Sequence, residues 1–226
     1  MIRKTRVLTA VALTFAMFAG TTIAKAVEPD SMPSEVLTLA REWARINYQV
    51  KDEAAQEKEF ATLAAQAETL ANRYPDRAEP LIWEGVIASS QARLAGAFSA
   101  LGFAKHARDF LVKAGRIDFR ALGGAVPTSL GALYHKVPGF PLGFGDDAKA
   151  RDYLEQAVAI SRDGLDANYF YGDFLIEQGQ YEKAAAVLRT ALAAPTDHSR
   201  PIWDAGRRAE IRTLLAVVDG KLAANR

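Results

Sequence analysis

Two segments of the chain repeat one another at a fixed distance, and this repetition constrains the fold more than any other feature. Residues 145–161 read GDDAKARDYLEQAVAIS, and residues 179–195 read GQYEKAAAVLRTALAAP. The matched residues lie 34 positions apart, and the pairs are Gly145 with Gly179, Ala150 with Ala184, Leu154 with Leu188, and Ala157 with Ala191. A repeat of this size is one supersecondary unit that buries its apolar face against neighbouring copies. The sequence therefore predicts an array of stacked units.

The residues inside these units predict helices and no strands. Ala, Leu, Glu, Arg and Gln dominate at helical spacing, and no stretch alternates β-branched with polar residues. A helix–turn–helix unit of 34 residues has the period of the tetratricopeptide repeat. In the last unit Gly172 lies twelve residues before Ala184, at the small contact position between the helices, and Gly179 makes the turn. We predict an all-α, irregular tetratricopeptide-like array of about eight to ten helices, with its best-defined repeats at 131–164 and 165–198.

The register is less regular upstream. Ala107, Leu111 and Ala114 keep the same spacing, and Ala95 lies twelve residues before Ala107. When the two repeats are aligned with the 34-residue offset, Pro138 takes the position of Gly172. Glycines further along the chain are expected to delimit helices: Gly102 and Gly115 on either side of a short fourth helix, and Gly123 and Gly124 at a break.

The stretch HKVPGFPLGFGDD at residues 135–147 interrupts the array. Pro138 and Pro141 lack an amide donor and clash with a preceding helical turn, so they exclude a helix here. Asp146 is predicted to cap the following helix by accepting hydrogen bonds from its first amides. Phe140, Leu142 and Phe144 keep the loop apolar, which argues against a fully solvated turn.

The N-terminus has the pattern of a secretory signal peptide. Positive charges at the start precede an apolar run of 13 residues, Val7 to Ala19, and small residues follow at Ala24 and Ala26. The run is shorter than the approximately 20 residues that span a bilayer. We expect residues 1–26 to be cleaved near Ala26, which leaves a soluble periplasmic protein with a single helical domain at 27–226. An uncleaved N-terminal anchor is the alternative.

Charge and cysteine content narrow the possible functions. Removal of residues 1–26 leaves 24 basic and 27 acidic residues, with no basic patch for nucleic acid. The chain has no cysteine, which excludes disulfides and thiol nucleophiles. No cofactor and no nucleic-acid partner are predicted.

No motif for catalysis, phosphate or metal is present. The Gly143-Phe144-Gly145 stretch is followed by two aspartates, which would repel phosphate. His106 and Asp109 lie three apart on a helix, but no third ligand joins them, so no metal site is predicted. His106 is therefore expected at a surface or an interface. The sequence predicts no catalytic residue; an envelope enzyme would need an unrecognised pair of carboxylates in one cleft.

Aromatic residues crowd the loop and the helix that follows the next turn. One interpretation is core packing. The other is an apolar pocket, closed when the loop 138–145 packs against residues 168–175, and able to hold a small apolar ligand. Its predicted lining is Tyr134, His135, Phe140, Leu142, Phe144, Asn168, Tyr169, Tyr171 and Asp173. The basic residues Arg207, Arg208 and Arg212 are expected on a solvated helix face.

The segment LYHKVPGFPLGFGDDAKARDYLEQAVAI, followed by ANYFYGDFL and GQYEKAAAVLRTALAAP, resembles the T component of TRAP transporters, an envelope family of irregular tetratricopeptide-like proteins. The resemblance covers about residues 80–195 and rests chiefly on PLGFGD at 141–146. It implies a non-enzymatic helical protein that associates with a periplasmic solute-binding protein and can hold a small apolar ligand. The chain differs from lipid-anchored relatives because it has no lipidation cysteine. An envelope assembly scaffold without a small ligand is the alternative, and either form is compatible with a homo-oligomer.

Overall fold

The computed structural model describes residues 31–224, with the backbone alone at residues 31, 32, 97 and 98. The predicted signal peptide at 1–26 lies outside the described residues. Within the described part the chain forms nine helices: α1 Ser31–Gln49, α2 Glu53–Arg73, α3 Ala78–Leu94, α4 Ala97–Asp118, α5 Ala121–Lys136, α6 Asp147–Ile160, α7 Leu165–Glu177, α8 Tyr181–Ala193 and α9 Pro201–Ala224. The predicted all-α repeat array is confirmed. None of the described helices is long and apolar enough to cross a membrane.

Consecutive helices pack as pairs, most extensively α3 with α4, α5 with α6, and α7 with α8. The first helices of the pairs also contact one another in chain order, from α1 through α3, α5 and α7 to α9. Helix α9 then packs against α1, so the array closes on itself. Two hydrogen bonds join these ends: Arg41 Nε donates to the Ser199 carbonyl at 2.8 Å, and the Tyr48 hydroxyl donates to Glu210 Oε2 at 3.1 Å.

A glycine on the first helix and a leucine on the second make the contact inside each of the three main pairs. These contacts are Gly85 with Leu111, Gly131 with Leu154, and Gly172 with Leu188. A Cβ atom on any of these glycines would lie 2.5 or 2.6 Å from the leucine side chain, well inside contact distance. All three leucines are fully buried, which stabilises each pair by about 1.5–3 kcal/mol per side chain.

This contact corrects the predicted register upstream of the last repeat. Gly131, rather than Pro138, is the counterpart of Gly172, and Gly85, rather than Ala95, fills this position before Ala107. Ala95 instead ends α3 as its C-cap. The spacing from glycine to the first alanine of the partner helix varies for two reasons, while the packed contact stays the same. The α5–α6 connection is longer than the α7–α8 connection, and in the α3–α4 pair the helical segments on both sides of a short connection are longer.

Two glycine predictions had opposite outcomes. Helix α4 runs through Gly102 and Gly115 without a break, so the short fourth helix that they were expected to delimit is wrong. The break at Gly123 and Gly124 is confirmed, because residues 122–124 have positive φ and kink α5 near its start. The α5–α6 pair spans residues 121–160, so it begins ten residues before the predicted start of this repeat at 131.

Helix α9 carries a buried basic residue, contrary to the expectation of a solvated face. Arg207 is buried, and its guanidinium lies 2.6 Å from Asp166 Oδ1 and 2.6 Å from Glu210 Oε2. Its Cζ stacks 4.2 Å from the ring centre of Tyr169. Burial lowers the pKa of Arg207, but the carboxylates of Asp166 and Glu210 outweigh this effect and hold the pKa above its usual value. Arg207 therefore links α9 to α7 inside the closed array.

Candidate functional site: the α5–α6 loop and the helix ends below it

The predicted interruption of the array is an ordered loop. Helix α5 ends at Lys136 and α6 begins at Asp147, so residues 137–146 form the α5–α6 loop. Asp146 caps α6 as predicted, because its Oδ1 accepts hydrogen bonds from the Ala148 and Lys149 amides at 3.0 and 3.1 Å. These bonds, with that from the Lys149 amide contributing most, lower the pKa of the Asp146 carboxyl.

Backbone hydrogen bonds hold the α5–α6 loop in a closed shape. The Gly145 amide donates to the Pro138 carbonyl at 2.9 Å, and the Asp146 amide donates to the Tyr134 carbonyl at 2.9 Å. The two limbs of the loop also form a β-bridge between Gly139 and Gly145. A Cβ atom at Gly145 would lie 1.8 Å from the Val137 carbonyl oxygen. Because the limbs approach this closely, the loop requires glycine at 145.

The three apolar side chains of the loop point in two directions. Phe144 turns inward, where its ring centre lies 5.6 Å from that of Tyr134 in an edge-to-face contact. The Arg108 guanidinium lies 4.6 Å from the Phe144 ring centre on another side. Phe140 and Leu142 project into solvent and are 95% and 74% exposed. Phe144 therefore anchors the loop, and the other two side chains are presented outward.

The predicted pocket between this loop and residues 168–175 is wrong for Phe140 and Leu142, because neither side chain turns toward α7. An alternation of apolar residues with glycine and proline predicts a short apolar loop, but it does not fix which side chains face the protein. The structure instead has an open cleft of about 290 Å³ between the base of the loop and the start of α6. Its lining is Tyr134, His135, Val137, Gly139, Gly145, Asp146 and Asp147.

The residues predicted on α7 serve separate contacts. The Asn168 amide is buried, and it donates hydrogen bonds to the Arg162 and Gly164 carbonyls at 2.9 and 3.0 Å, which fixes the turn before α7. The Tyr171 hydroxyl donates to Glu155 Oε1 at 3.1 Å. Tyr169 faces Arg207 on α9. These three side chains contact neighbouring parts of the fold and do not reach the α5–α6 loop.

His135 and Asp173 do come together, at the ends of α5 and α7. The His135 side chain is 4% exposed, and its ring packs edge-to-face on Phe174 with 5.1 Å between ring centres. Lys136 Nζ lies 2.7 Å from Asp173 Oδ2 and 2.5 Å from Glu177 Oε1. The hydrogen bond from Lys136 lowers the pKa of the Glu177 carboxyl.

Sequence reasoning missed Glu177. It lies 42 positions from His135, so no local motif joins the two residues. A signal was available in the spacing of Asp173 and Glu177, which are four residues apart and so share one helix face. That face could be matched to His135 only once the packing of α5 on α7 was known.

Comparison with known proteins supports the fold. Residues 142–216 match the model of the tetratricopeptide repeat, a segment that covers α6 to α8 and most of α9. A thermophilic tetratricopeptide-repeat protein of Thermus thermophilus has a similar crystal structure, with a TM-score of 0.53 and 19% sequence identity over 80% of this chain and 89% of that chain. No curated protein sequence matches the chain. The fold is thus a tetratricopeptide-like helical array, an architecture that generally mediates protein–protein interaction.

Proposed function

We propose that this protein is a periplasmic, non-catalytic binding protein that docks a protein partner through the α5–α6 loop. The observation that carries the proposal is the pair Phe140 and Leu142, two large apolar side chains exposed on a loop with an ordered backbone. A single exposed apolar residue is ordinary on a protein surface. Two such residues on one rigid projection favour contact with a partner.

The physical basis is preorganisation. A loop that is already ordered loses little conformational entropy on binding, so more of the contact energy contributes to affinity. Side chains that enter pockets of a partner account for most of the binding energy of an interface. Phe144 and the β-bridge at Gly145 hold the loop in place while Phe140 and Leu142 remain free to be buried by the partner.

Two sequence features support a partner in the bacterial envelope. The first is the predicted signal peptide at 1–26, which favours the periplasm. The second is the resemblance of residues 141–146 to the T component of TRAP transporters, and a solute-binding protein is the partner that this resemblance favours. We therefore propose an accessory role in TRAP-type solute uptake as the specific form of the function.

The outward direction of Phe140 and Leu142 favours a second form, an assembly scaffold that binds envelope proteins without a small ligand. A loop that closed a ligand pocket would bury these side chains, whereas here they are exposed. Both forms use the same docking loop, and they differ in the partner and in the presence of a small apolar ligand.

The test is affinity capture from an envelope extract of the source cells, with the full chain tagged at its C-terminus and expressed from its own N-terminus. Captured proteins and extracted small molecules are both identified by mass spectrometry, and N-terminal sequencing shows whether residues 1–26 are removed. The double variant Phe140→Ala/Leu142→Ala is compared with Ile117→Ala/Val217→Ala, which removes two exposed apolar side chains elsewhere.

We expect the captured partner, once purified, to bind the loop variant at least about tenfold more weakly, since truncation of central contact residues costs more than about 1.4 kcal/mol. The control variant should bind like the unmodified chain. A solute-binding protein as the partner supports the uptake role, and assembly proteins without a small molecule support the scaffold. Equal capture and affinity with the loop variant would overturn docking through this loop.

A further inference from the structure

A cluster of potential metal ligands lies where the ends of α5 and α7 meet the start of α6. His135, Asp173 and Glu177 each offer one nitrogen or oxygen atom, and these three atoms lie within 4.8 Å of one another. Asp173 and Glu177 are four residues apart and face α5 from the same side of α7. The two helices therefore bring an imidazole and two carboxylates together from separate parts of the chain.

The imidazole of His135 is directed into this cluster, and one of its nitrogens forms no hydrogen bond. The side chain is 96% buried, and its Nε2 atom has no hydrogen-bond partner. Glu177 Oε2 is 3.3 Å away, but it lies outside hydrogen-bond alignment. A buried polar nitrogen without a partner is unfavourable, and in native structures such an atom is normally satisfied by a water molecule, an ion or a functional contact.

The other ring nitrogen faces a carboxylate. Nδ1 of His135 lies 3.5 Å from Asp147 Oδ1 on α6, and Gln178 Nε2 donates to Asp147 Oδ2 at 3.0 Å. A metal-bound histidine commonly directs its second nitrogen to a carboxylate, which fixes the tautomer and orients the ring. A proton on Nδ1 leaves the lone pair of Nε2 facing Asp173 and Glu177.

We propose that His135, Asp173 and Glu177 bind one divalent transition-metal ion of the zinc class. The chain has no cysteine, so imidazole and carboxylate are its available ligands, and zinc accepts both at about 2.0–2.2 Å. Asp147 orients His135 from the second layer of the site. The bound ion would tie α5 to α7 directly below the α5–α6 loop.

Lys136 is the competitor for this site. Its ammonium group pairs with both Asp173 and Glu177, and it therefore neutralises one of their two negative charges when no ion is bound. Two ligands of one ion are at most about 4.4 Å apart at these bond lengths. The three atoms lie within 4.8 Å of one another, so binding needs at most a small inward movement of the carboxylates as Lys136 leaves. The side chains of Lys136 and Glu177 are 48% and 53% exposed, which allows both movements.

The experiment titrates Zn²⁺ into the full chain purified without a histidine tag, followed by isothermal calorimetry and by thermal unfolding. We expect saturable binding of one ion per chain and a higher melting temperature with zinc, because an ion that binds only the folded state stabilises it. His135→Gln and Glu177→Gln should each weaken binding at least about tenfold, since even outer ligands contribute about 10–100-fold. Circular dichroism checks that both variants fold.

The variant Lys136→Gln distinguishes a metal site from a cluster whose only role is to form ion pairs with Lys136. Removal of the competing ammonium should tighten zinc binding, whereas a cluster built only for the ion pair would gain no affinity. His106→Gln and His198→Gln change the two other histidines, which are both exposed, and should leave binding unchanged. Binding that survives His135→Gln, or an absence of saturable binding in both the unmodified chain and Lys136→Gln, would overturn the proposal.

Discussion

Gly145 and Gly179 occupy the same position of the repeat, 34 residues apart, but different constraints act on them. Gly179 lies in the short turn between α7 and α8, where its φ of +69° is unfavourable for other residues and a Cβ atom would have no neighbour within 4 Å. Gly145 lies in the α5–α6 loop without a positive φ, and its neighbour Val137 leaves no room for a side chain. One glycine satisfies a local backbone requirement, and the other permits a tertiary contact.

The helices on either side of these two connections pack alike. Gly131 meets Leu154 in the α5–α6 pair, and Gly172 meets Leu188 in the α7–α8 pair, at nearly the same separation. The additional residues of the α5–α6 loop are therefore not needed for helix packing. They form a separate surface feature on a shared repeat core, which supports the proposed docking role of the loop.

The largest effect is expected from substitutions that distinguish the two glycines. Gly145→Asn places a side chain against the Val137 carbonyl and should lower the free energy of unfolding by about 3 kcal/mol, at the upper end for overpacking. Gly179→Asn should cost less than about 1 kcal/mol, because asparagine tolerates positive φ. Urea unfolding measures both, and equal losses would contradict the distinction between a local and a tertiary constraint.

The next largest effect on stability is expected from substitutions at the shared glycine–leucine contact. Gly131→Ala and Gly172→Ala should each lower the free energy of unfolding by about 1–3 kcal/mol, because the new methyl group overlaps the buried leucine. Gly102→Ala is the matched control, since Gly102 lies within α4 with open space around it. Alanine there should raise stability by up to about 1 kcal/mol. A destabilised Gly102→Ala, or an unaffected Gly172→Ala, would show that the contact is not specific.

The α3–α4 pair differs from the other two pairs because it buries an acidic residue beside its contact glycine. The residue before the contact glycine is Leu130 in α5 and Tyr171 in α7, but it is Glu84 in α3. Burial raises the pKa of Glu84 from 4.5 to about 7, and the nearby charge of Glu68 adds to the effect while Lys113 opposes it. The folded state therefore holds this proton more tightly than the unfolded state.

Because the folded pKa is the higher one, stability should fall as the pH rises from 4.5 to about 7 and then level off. Glu84→Gln removes the charge and should raise the free energy of unfolding at about pH 8 by about 1–2 kcal/mol, with little change at about pH 4.5. Glu182→Gln, on the exposed face of α8, should leave the profile unchanged. Urea unfolding across this pH range is the measurement, and a parallel profile for Glu84→Gln would contradict the expectation.

The sequence by itself determined the local features of this protein. Helical spacing predicted the all-α array, the 34-residue period located the packed residues of α6 and α8, and Pro138 and Pro141 predicted the loop between α5 and α6. Asp146 was correctly predicted as a helix cap. The helices, the cap and the proline break each depend on residues within a few turns of one another, where backbone geometry and side-chain spacing constrain the outcome directly. The 34-residue period could be detected because the same local pattern occurs twice.

Tertiary structure alone decided the features that join distant segments. Gly85, Gly131 and Gly172 lie at unequal distances along the chain from the leucines that they contact, so a fixed spacing could not identify the first two. Arg207 is buried because α9 folds back between α7 and α1, and His135 meets Asp173 and Glu177 because α5 packs on α7. Local periodicity gives the apolar face of each helix, but burial and pairing depend on which helices meet across the array.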